Sequence, residues 1–339
     1  MAEVSEADFL IASRGTTREL GAWVVAAVFD GGGRLAFALA DGTLRRPETE
    51  GEWASIAAHD GAVLSAAADI KDGWLTGGDD GKLVRIAPDG GTTTLADYKG
   101  KWVDHVAAHE AGLRAAAVGK ALHLLGPGGP LKTLAHPSSV GGIAFDAKGK
   151  RVAASHYNGA SVWFVGAKED KPRVLEWKGS HHAIAFSPDG THVVTAMQEP
   201  SLHGWRLTDG QHMRMSGYPT KTRSLAFTAR GRWLATSGAE SVVLWPFFGG
   251  GPMGKAPTEL AGGDEVTCSA VACHPQHEVV AAGFGDGLVL MAEVASGKVV
   301  PVAPPGGSPV SALAWSANGA LLAFGTEDGR AGVIDLARR

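Results

Sequence analysis

Short apolar runs alternate with polar turns along the whole chain, and no stretch of a dozen residues shows a clean helical period with caps. One representative stretch has apolar runs at 183–186 and 192–196, separated by a turn that ends at Gly190, and a third run that ends at Trp205. Runs of four to eight residues that are rich in β-branched and aromatic side chains, and bounded by Gly, Asp, Asn or Pro, are typical of strands joined by hairpins. The pattern therefore predicts an all-β protein.

This unit recurs eight times, about every 41 residues. Each copy was aligned on the residue four before the end of its first turn. The spacing between aligned residues ranges from 37 (Ala108 to Phe145) to 46 (Phe227 to Cys273). The aligned residues are Phe29, Asp69, Ala108, Phe145, Phe186, Phe227, Cys273 and Trp315. A repeat of this length with three or four short strands predicts a β-propeller.

The repeat predicts a single domain over residues 1–339, built as a closed propeller of eight four-stranded antiparallel blades, with seven blades as the alternative. The runs are apolar on both sides, which suits blades that pack face to face with their neighbours. The predicted units lie near residues 20–60, 61–100, 101–136, 137–178, 179–218, 219–262, 263–307 and 308–336.

The last unit ends near Leu336 and leaves no chain for its outer strand. An apolar run at 8–13 precedes the first unit and belongs to none of the eight. We therefore predict that residues 8–13 form a strand that completes the last blade. Such closure would remove the open sheet edges that otherwise pair with other chains.

Composition narrows the possible partners and the compartment. The net charge of −4 over 339 residues is too small to predict attraction to nucleic acid or to a membrane surface. No run of about 18 apolar residues predicts a membrane span, and the acidic N-terminus lacks the features of a secretory signal. Cys268 and Cys273 lie five apart in one predicted strand, so they face opposite sides and cannot pair. We expect a cytoplasmic protein, for which a monomer is plausible.

The units resemble WD40 repeats, and the resemblance covers nearly the full chain. The segments that carry it are 185–190 (AFSPDG), 234–238 (LATSG), 242–245 (VVLW) and 326–329 (TEDG). The Trp-Asp dipeptide of the family is absent, since Pro246, Phe164 and Arg206 follow the Trp residues of three units.

The resemblance implies an interaction platform that binds other proteins or peptides at the mouth of a central channel or on its rim, and that rarely catalyses a reaction. It also implies a buried His–Ser/Thr–Asp–Trp hydrogen-bond network. That network is incomplete here, because the Gly-His pair that opens a typical repeat is missing as a dipeptide.

Candidate catalytic and metal-binding residues do not form a recognised motif. His274, His277 and Glu278 lie near the two Cys residues, but the spacing of a zinc site or a metalloprotease is absent. We therefore predict no enzyme, no metal and no cofactor. The alternative function is a propeller-type metal-assisted hydrolase, which would need several carboxylates and His residues converging in the channel.

Aromatic residues at the starts of first strands are the best candidates for partner binding, because exposed Trp and Tyr are frequent binding anchors. In contrast, Trp163, Trp205 and Trp245 in third strands, and Trp74 and Trp233 in second strands, are expected in the core. The predicted partner-binding surface consists of Trp23, Trp102, Asp104, His105, Tyr157, Met197, Tyr218, Lys221, Arg223, Phe284 and Glu327.

Overall fold

A computed structural model describes residues 6–48, 52–262 and 265–338. Its helices are a 3-10 turn at Glu6–Asp8 and α1 at Leu10–Arg14. The strands are β1 Gly15–Glu19, β2 Val24–Phe29, β3 Leu35–Leu39, β4 Thr43–Arg46, β5 Ala54–Ala57, β6 Val63–Ala68, β7 Trp74–Gly78, β8 Lys82–Ile86, β9 Thr92–Asp97, β10 His105–His109, β11 Leu113–Val118, β12 Ala121–Gly126, β13 Gly129–Ala135, β14 Gly142–Phe145, β15 Arg151–Phe164, β16 Arg173–Phe186, β17 His192–Met197, β18 Ser201–Arg206, β19 His212–Ser216, β20 Leu225–Phe227, β21 Trp233–Thr236, β22 Ser241–Pro246, β23 Thr258–Gly262, β24 Cys268–Cys273, β25 Val279–Phe284, β26 Val289–Glu293, β27 Val299–Ala303, β28 Val310–Trp315, β29 Leu321–Thr326 and β30 Arg330–Asp335.

The chain divides into two compact units. Unit 1 comprises Met1–Ala27 and Tyr218–Arg339, and unit 2 comprises Val28–Gly217. Unit 2 holds β3–β5 with the end of β2, the sheet β6–β9, the sheet β10–β13 and a six-stranded sheet β14–β19. Unit 1 holds β20–β23, β24–β27 and a sheet in which β28–β30 are joined by β1.

Apolar side chains fill the space between consecutive sheets in each unit. In unit 1, the sheet β20–β23 packs on β24–β27 through Val242, Leu244 and Phe284, and β24–β27 packs on the last sheet through Val310 and Phe324. In unit 2, Leu122 and Leu124 pack against the β14–β15 region. Antiparallel sheets of consecutive strands that are buried on both faces are the all-β architecture of a β-propeller, as predicted.

The number of sheets differs from the main prediction. Within the described residues there are seven, six with four strands and one with six, so eight four-stranded blades are not supported and the alternative of seven is. The difference arises where units 137–178 and 179–218 were predicted. There, β15 and β16 are each 14 residues long, so both predicted units belong to one continuous sheet.

The N-terminus joins the last sheet, but not through the predicted residues. β1 pairs antiparallel with β30, from Gly15 opposite Ile334 to Glu19 opposite Arg330. Residues 8–13 form the end of the 3-10 turn and most of α1 instead of a strand. A short apolar run does not distinguish a strand from a buried helical segment. Here the run folds as a helix turn whose Leu10 and Ile11 pack against the core of the last two sheets of unit 1.

Gly15 marks the change from helix to strand. A Cβ at this position would collide with Ile11 and would lie 2.8 Å from the carbonyl oxygen of Val333. Only glycine therefore allows α1 to lie this close to β30 while the chain continues into β1.

No helix in the described part of the chain is both long enough and apolar enough to cross a membrane.

Gly15→Val should lower the melting temperature by about 3–10 °C, because the branched side chain must displace either α1 or β30. Differential scanning calorimetry measures the shift. Thr17→Val is the matched control, since Thr17 lies exposed in the same strand and tolerates a β-branched residue. Equal melting temperatures for both variants would contradict the proposed packing of α1.

Candidate functional site

Three of the predicted residues, Trp102, Asp104 and His105, lie together at the start of β10 in unit 2. Trp102 is 60% exposed, while the next residue, Val103, is fully buried and donates its N–H to the carbonyl of Gly78 (3.0 Å). Asp104 and His105 follow and are half-buried. The anchored Val103 therefore fixes the backbone beneath an exposed indole.

His105 lies close enough to Asp104 and His182 for their charges to affect it. Burial lowers the pKa of His105, the Asp104 carboxylate opposes that shift and His182 adds to it. Burial also raises the pKa of Asp104. Nε2 of His182 donates to the carbonyl oxygen of Met197 (2.9 Å), which places the end of β17 beside this polar cluster.

Tyr157 lies at the middle of β15 in the six-stranded sheet and is 57% exposed. Its N–H donates to Oγ of Ser138 (2.8 Å). The next residue, Asn158, has a positive φ of 66°, and pairing with β16 shifts register between Tyr157 and Gly159. This local break turns the ring of Tyr157 away from the sheet core.

Two clefts adjoin Tyr157, and both are also lined by Trp177 and Lys178. The first cleft has a volume of about 560 Å³ and the second about 390 Å³, which is within the usual range for ligand pockets. The first cleft is further lined by Pro137, Ser138, His156, Asn158, Val174 and Glu176. The second cleft is further lined by Gly179, Met197, Glu199, Ser201 and Arg214.

Trp177 is held in place by His203 of β18 and by His181 of its own strand, β16. Its ring stacks on His203, with centroids 4.0 Å apart and planes 14° apart, and its carbonyl accepts a hydrogen bond from Nε2 of His181 (3.0 Å). His203 is fully buried, and burial lowers its pKa to about 3, so the imidazole is neutral near pH 7. A neutral ring can stack on the indole without the cost of a buried charge.

In unit 1, a second exposed group lies at the strand starts. Trp23 is 48% exposed and precedes β2. The N–H of Leu20 donates to the carbonyl of Gly329 (2.9 Å), which brings this segment to the turn that contains Glu327. Glu327 forms an ion pair with Arg223 at 3.4 Å. Lys221 lies nearby in sequence and is half-buried.

Two comparisons with known proteins bear on the family, and a third bears on the fold. The family described as WD domain, G-beta repeat matches residues 302–335, which include most of the last sheet. Telomerase protein component 1 of Mus musculus is 26% identical over 202 residues, which are 57% of this chain and 7% of that protein. The crystal structure of the computationally designed Ika8 protein aligns with a TM-score of 0.77 at 18% identity, covering 94% of this chain and 98% of that chain, and shows a shared fold alone.

The matched repeat and the propeller fold together support a WD40-repeat propeller.

Among the described residues, two repeats show part of the hydrogen-bond network typical of WD40 repeats. In one repeat, His59 donates from Nδ1 to Asp80 (2.9 Å), and its Nε2 lies 2.9 Å from Oγ1 of Thr76. In another, only the pair of His136 with Trp163 is made, at 3.1 Å. Neither of these two repeats shows all four members of the network within the described residues.

A tyrosine replaces the histidine in one WD40 repeat of unit 1. Trp245 Nε1 donates to the hydroxyl of Tyr218 (2.6 Å), which donates to Oγ1 of Thr236 (2.6 Å), and that hydroxyl donates to the carbonyl of Val243 (3.0 Å). Burial raises the pKa of Tyr218 to about 12, so the relay keeps its protons at neutral pH.

Three of the predicted site residues are buried. Tyr218, Met197 and Phe284 are 8%, 2% and 0% exposed, so they are core residues and cannot serve as exposed anchors. The five expected core tryptophans are buried or half-buried.

Three residues that line the clefts, Trp177, Lys178 and Arg214, were not among the residues predicted from sequence. A sequence signal did exist for Trp177, which precedes the polar start of a first strand as Trp102 does.

The His and Cys residues considered for a metal site have other roles in this WD40 protein. Nδ1 of His274 accepts the N–H groups of Gln276 and His277 and thereby holds the turn after β24. Cys268 and Cys273 are free, and burial raises the pKa of both thiols to about 12. Among the described residues, no group of three or more His, Cys, Asp or Glu side chains is placed to hold a metal ion.

Tyr218→Phe should lower the free energy of unfolding by about 1–3 kcal/mol, because Trp245 loses its buried acceptor. Urea denaturation measures the change. Tyr157→Phe is the control, since it removes a hydroxyl from an exposed ring and should leave the stability unchanged. Similar losses for the two variants would contradict the relay.

Proposed function

We propose that this protein is a non-catalytic interaction scaffold that binds protein or peptide partners through exposed aromatic and charged residues at strand starts, in adjoining turns and at the break in the pairing of β15. The observation that supports this most directly is the exposed Tyr157, which stands between two clefts beside a rigidly supported Trp177. Aromatic side chains of this kind contribute much of the binding energy at protein interfaces. Trp102 in unit 2 and Trp23, with Arg223 and Glu327, in unit 1 offer further contact surface.

The match to a WD40 repeat and the matched relative agree with this proposal. The name of the mouse relative describes a protein component of telomerase, and the match covers 7% of that protein. Likeness of fold alone is a weak basis for function. The proposal therefore depends on the exposed residues of this chain.

The alternative of a metal-assisted hydrolase has less support. Such an enzyme needs converging carboxylates and His residues to activate a metal-bound water. The described residues include no such group, and the three histidines around Trp177 are engaged in stacking and backbone hydrogen bonds.

Trp102→Ala, Tyr157→Ala and Arg223→Ala should each reduce partner capture in affinity purification followed by quantitative mass spectrometry, with the melting temperature nearly unchanged. A loss of at least fivefold in a captured protein is expected where the residue is a binding anchor. Phe164→Ala is the matched control, because Phe164 is 61% exposed in β15 but lines neither cleft. Partners captured equally by all variants would overturn the proposed surfaces.

We also propose that the six-stranded sheet carries two of the eight sequence units as separate blades. Residues 152–155 of β15 pair with β14, and residues 159–162 pair with β16. Between them, Asn158 and Gly159 have positive φ values of 66° and 135°, as a hairpin turn requires. An experimental structure tests this: a hairpin at 157–159 supports two blades, and an unbroken strand refutes them.

A further inference from the structure

We propose that the paired clefts around Tyr157 bind an extended peptide segment with an apolar residue in the first cleft and, two positions along, an acidic residue in the second. This inference rests on the proposed scaffold function and specifies the ligand of one of its surfaces. The structural basis is the pair of adjoining clefts that share Tyr157, Trp177 and Lys178.

The arrangement of the clefts fits an extended chain. In such a chain, side chains i and i+2 point to the same side and lie roughly 6.6 Å apart. Two neighbouring clefts with a common wall can therefore receive both side chains while the residue between them points away. Tyr157, at 57% exposure, forms the ridge over which the peptide backbone passes.

The first cleft is suited to an apolar side chain. Its walls include Pro137, Val174 and the rings of Tyr157 and Trp177, and Val174 is 52% exposed. Its charged residues, Glu176 and Lys178, carry opposite charges, so the cleft has no excess of either sign from these two side chains. An apolar side chain placed there would remove exposed apolar surface from water, which is the main source of affinity in such pockets.

The second cleft carries a positive excess. Lys178 and Arg214 line it, against the single carboxylate of Glu199. No ion pair within the described residues neutralises either cation, although thirteen ion pairs of Lys or Arg with a carboxylate are formed elsewhere among them. Charge complementarity therefore favours an acidic side chain over a basic one at this position.

Gly179 keeps the second cleft open. Its φ is +114°, and a Cβ there would lie 2.7 Å from Cε of Met197 and 2.9 Å from Oε2 of Glu199. The missing side chain leaves room between the buried Met197 and the charged rim. Met197, which was predicted from sequence as a contact residue, is thus a buried residue in the lining of the second cleft.

The test begins with a phage-displayed library of random 12-residue peptides selected on the full chain. The expected consensus has an apolar residue followed two positions later by Asp or Glu. The consensus peptide and its Asn or Gln counterpart are then synthesised with a fluorophore, and their Kd values are measured by fluorescence polarisation. A consensus with a basic residue at the second position, or with no fixed spacing, would overturn the proposal.

Variants assign the two side chains to their clefts. Tyr157→Ala should weaken binding of the consensus peptide at least tenfold. Lys178→Gln and Arg214→Gln should each weaken the acidic peptide up to about fivefold and leave the amide peptide unchanged. Phe164→Ala and Lys150→Gln are the matched controls, since both residues are exposed near the same strand and line neither cleft.

Failure of the inference can be distinguished from failure of the scaffold function. If no peptide is enriched, or if enriched peptides are insensitive to Tyr157→Ala, while captured partners are lost with Trp102→Ala or Arg223→Ala, the paired clefts are not the binding site and the scaffold function stands. If neither peptides nor partners depend on any of these residues, both proposals are wrong.

Discussion

Face-to-face packing of the sheets is the constraint on which the other features of this protein depend. Each sheet buries apolar side chains on both faces, so its second strands contain small residues where neighbouring sheets approach closely. Ala115–Ala117 and Ala153–Ala154 in unit 2, and Ala281–Ala282 in unit 1, are almost completely buried. Because both faces of a sheet are used in this way, the exposed Trp23 and Trp102 lie just before strands, and the exposed Tyr157 lies at the break in the pairing of β15.

The same constraint explains why so many polar residues are buried. A sheet that is covered on both faces must pair its internal polar groups within the protein. The partial WD40 networks do this with different chemistry in different repeats, from His59 with Thr76 and Asp80 to the Tyr218 relay. His203 is an exception, because both of its buried ring nitrogens lack a hydrogen-bond partner among the described residues; its ring stacks on Trp177, which lines an exposed surface. In unit 2, a buried aromatic stack thus supports a residue that lines two open clefts.

Several features could be predicted from sequence, and the errors have physical causes. The repeat and the strand pattern indicated the all-β propeller, and the third-strand tryptophans were recognised as core. Residues 8–13 were assigned to a strand because a short apolar run fits either a strand or a helical turn. Tyr218 and Phe284 were assigned to a surface because position along a strand does not reveal which side the neighbouring sheet covers. The clefts could not be foreseen, since they bring together residues from 137 to 214.

By itself, the sequence determined the fold class, because the alternation of apolar runs and turns is a local property repeated about every 41 residues. It also determined the absence of a recognised catalytic motif and the residue types available for binding. Only the tertiary structure decided which aromatic rings are exposed, that Gly15 rather than residue 8 begins the strand paired with β30, and that Lys178 and Arg214 share a cleft. These features depend on contacts between residues distant in sequence, and such contacts are decided by packing between sheets rather than by local preference.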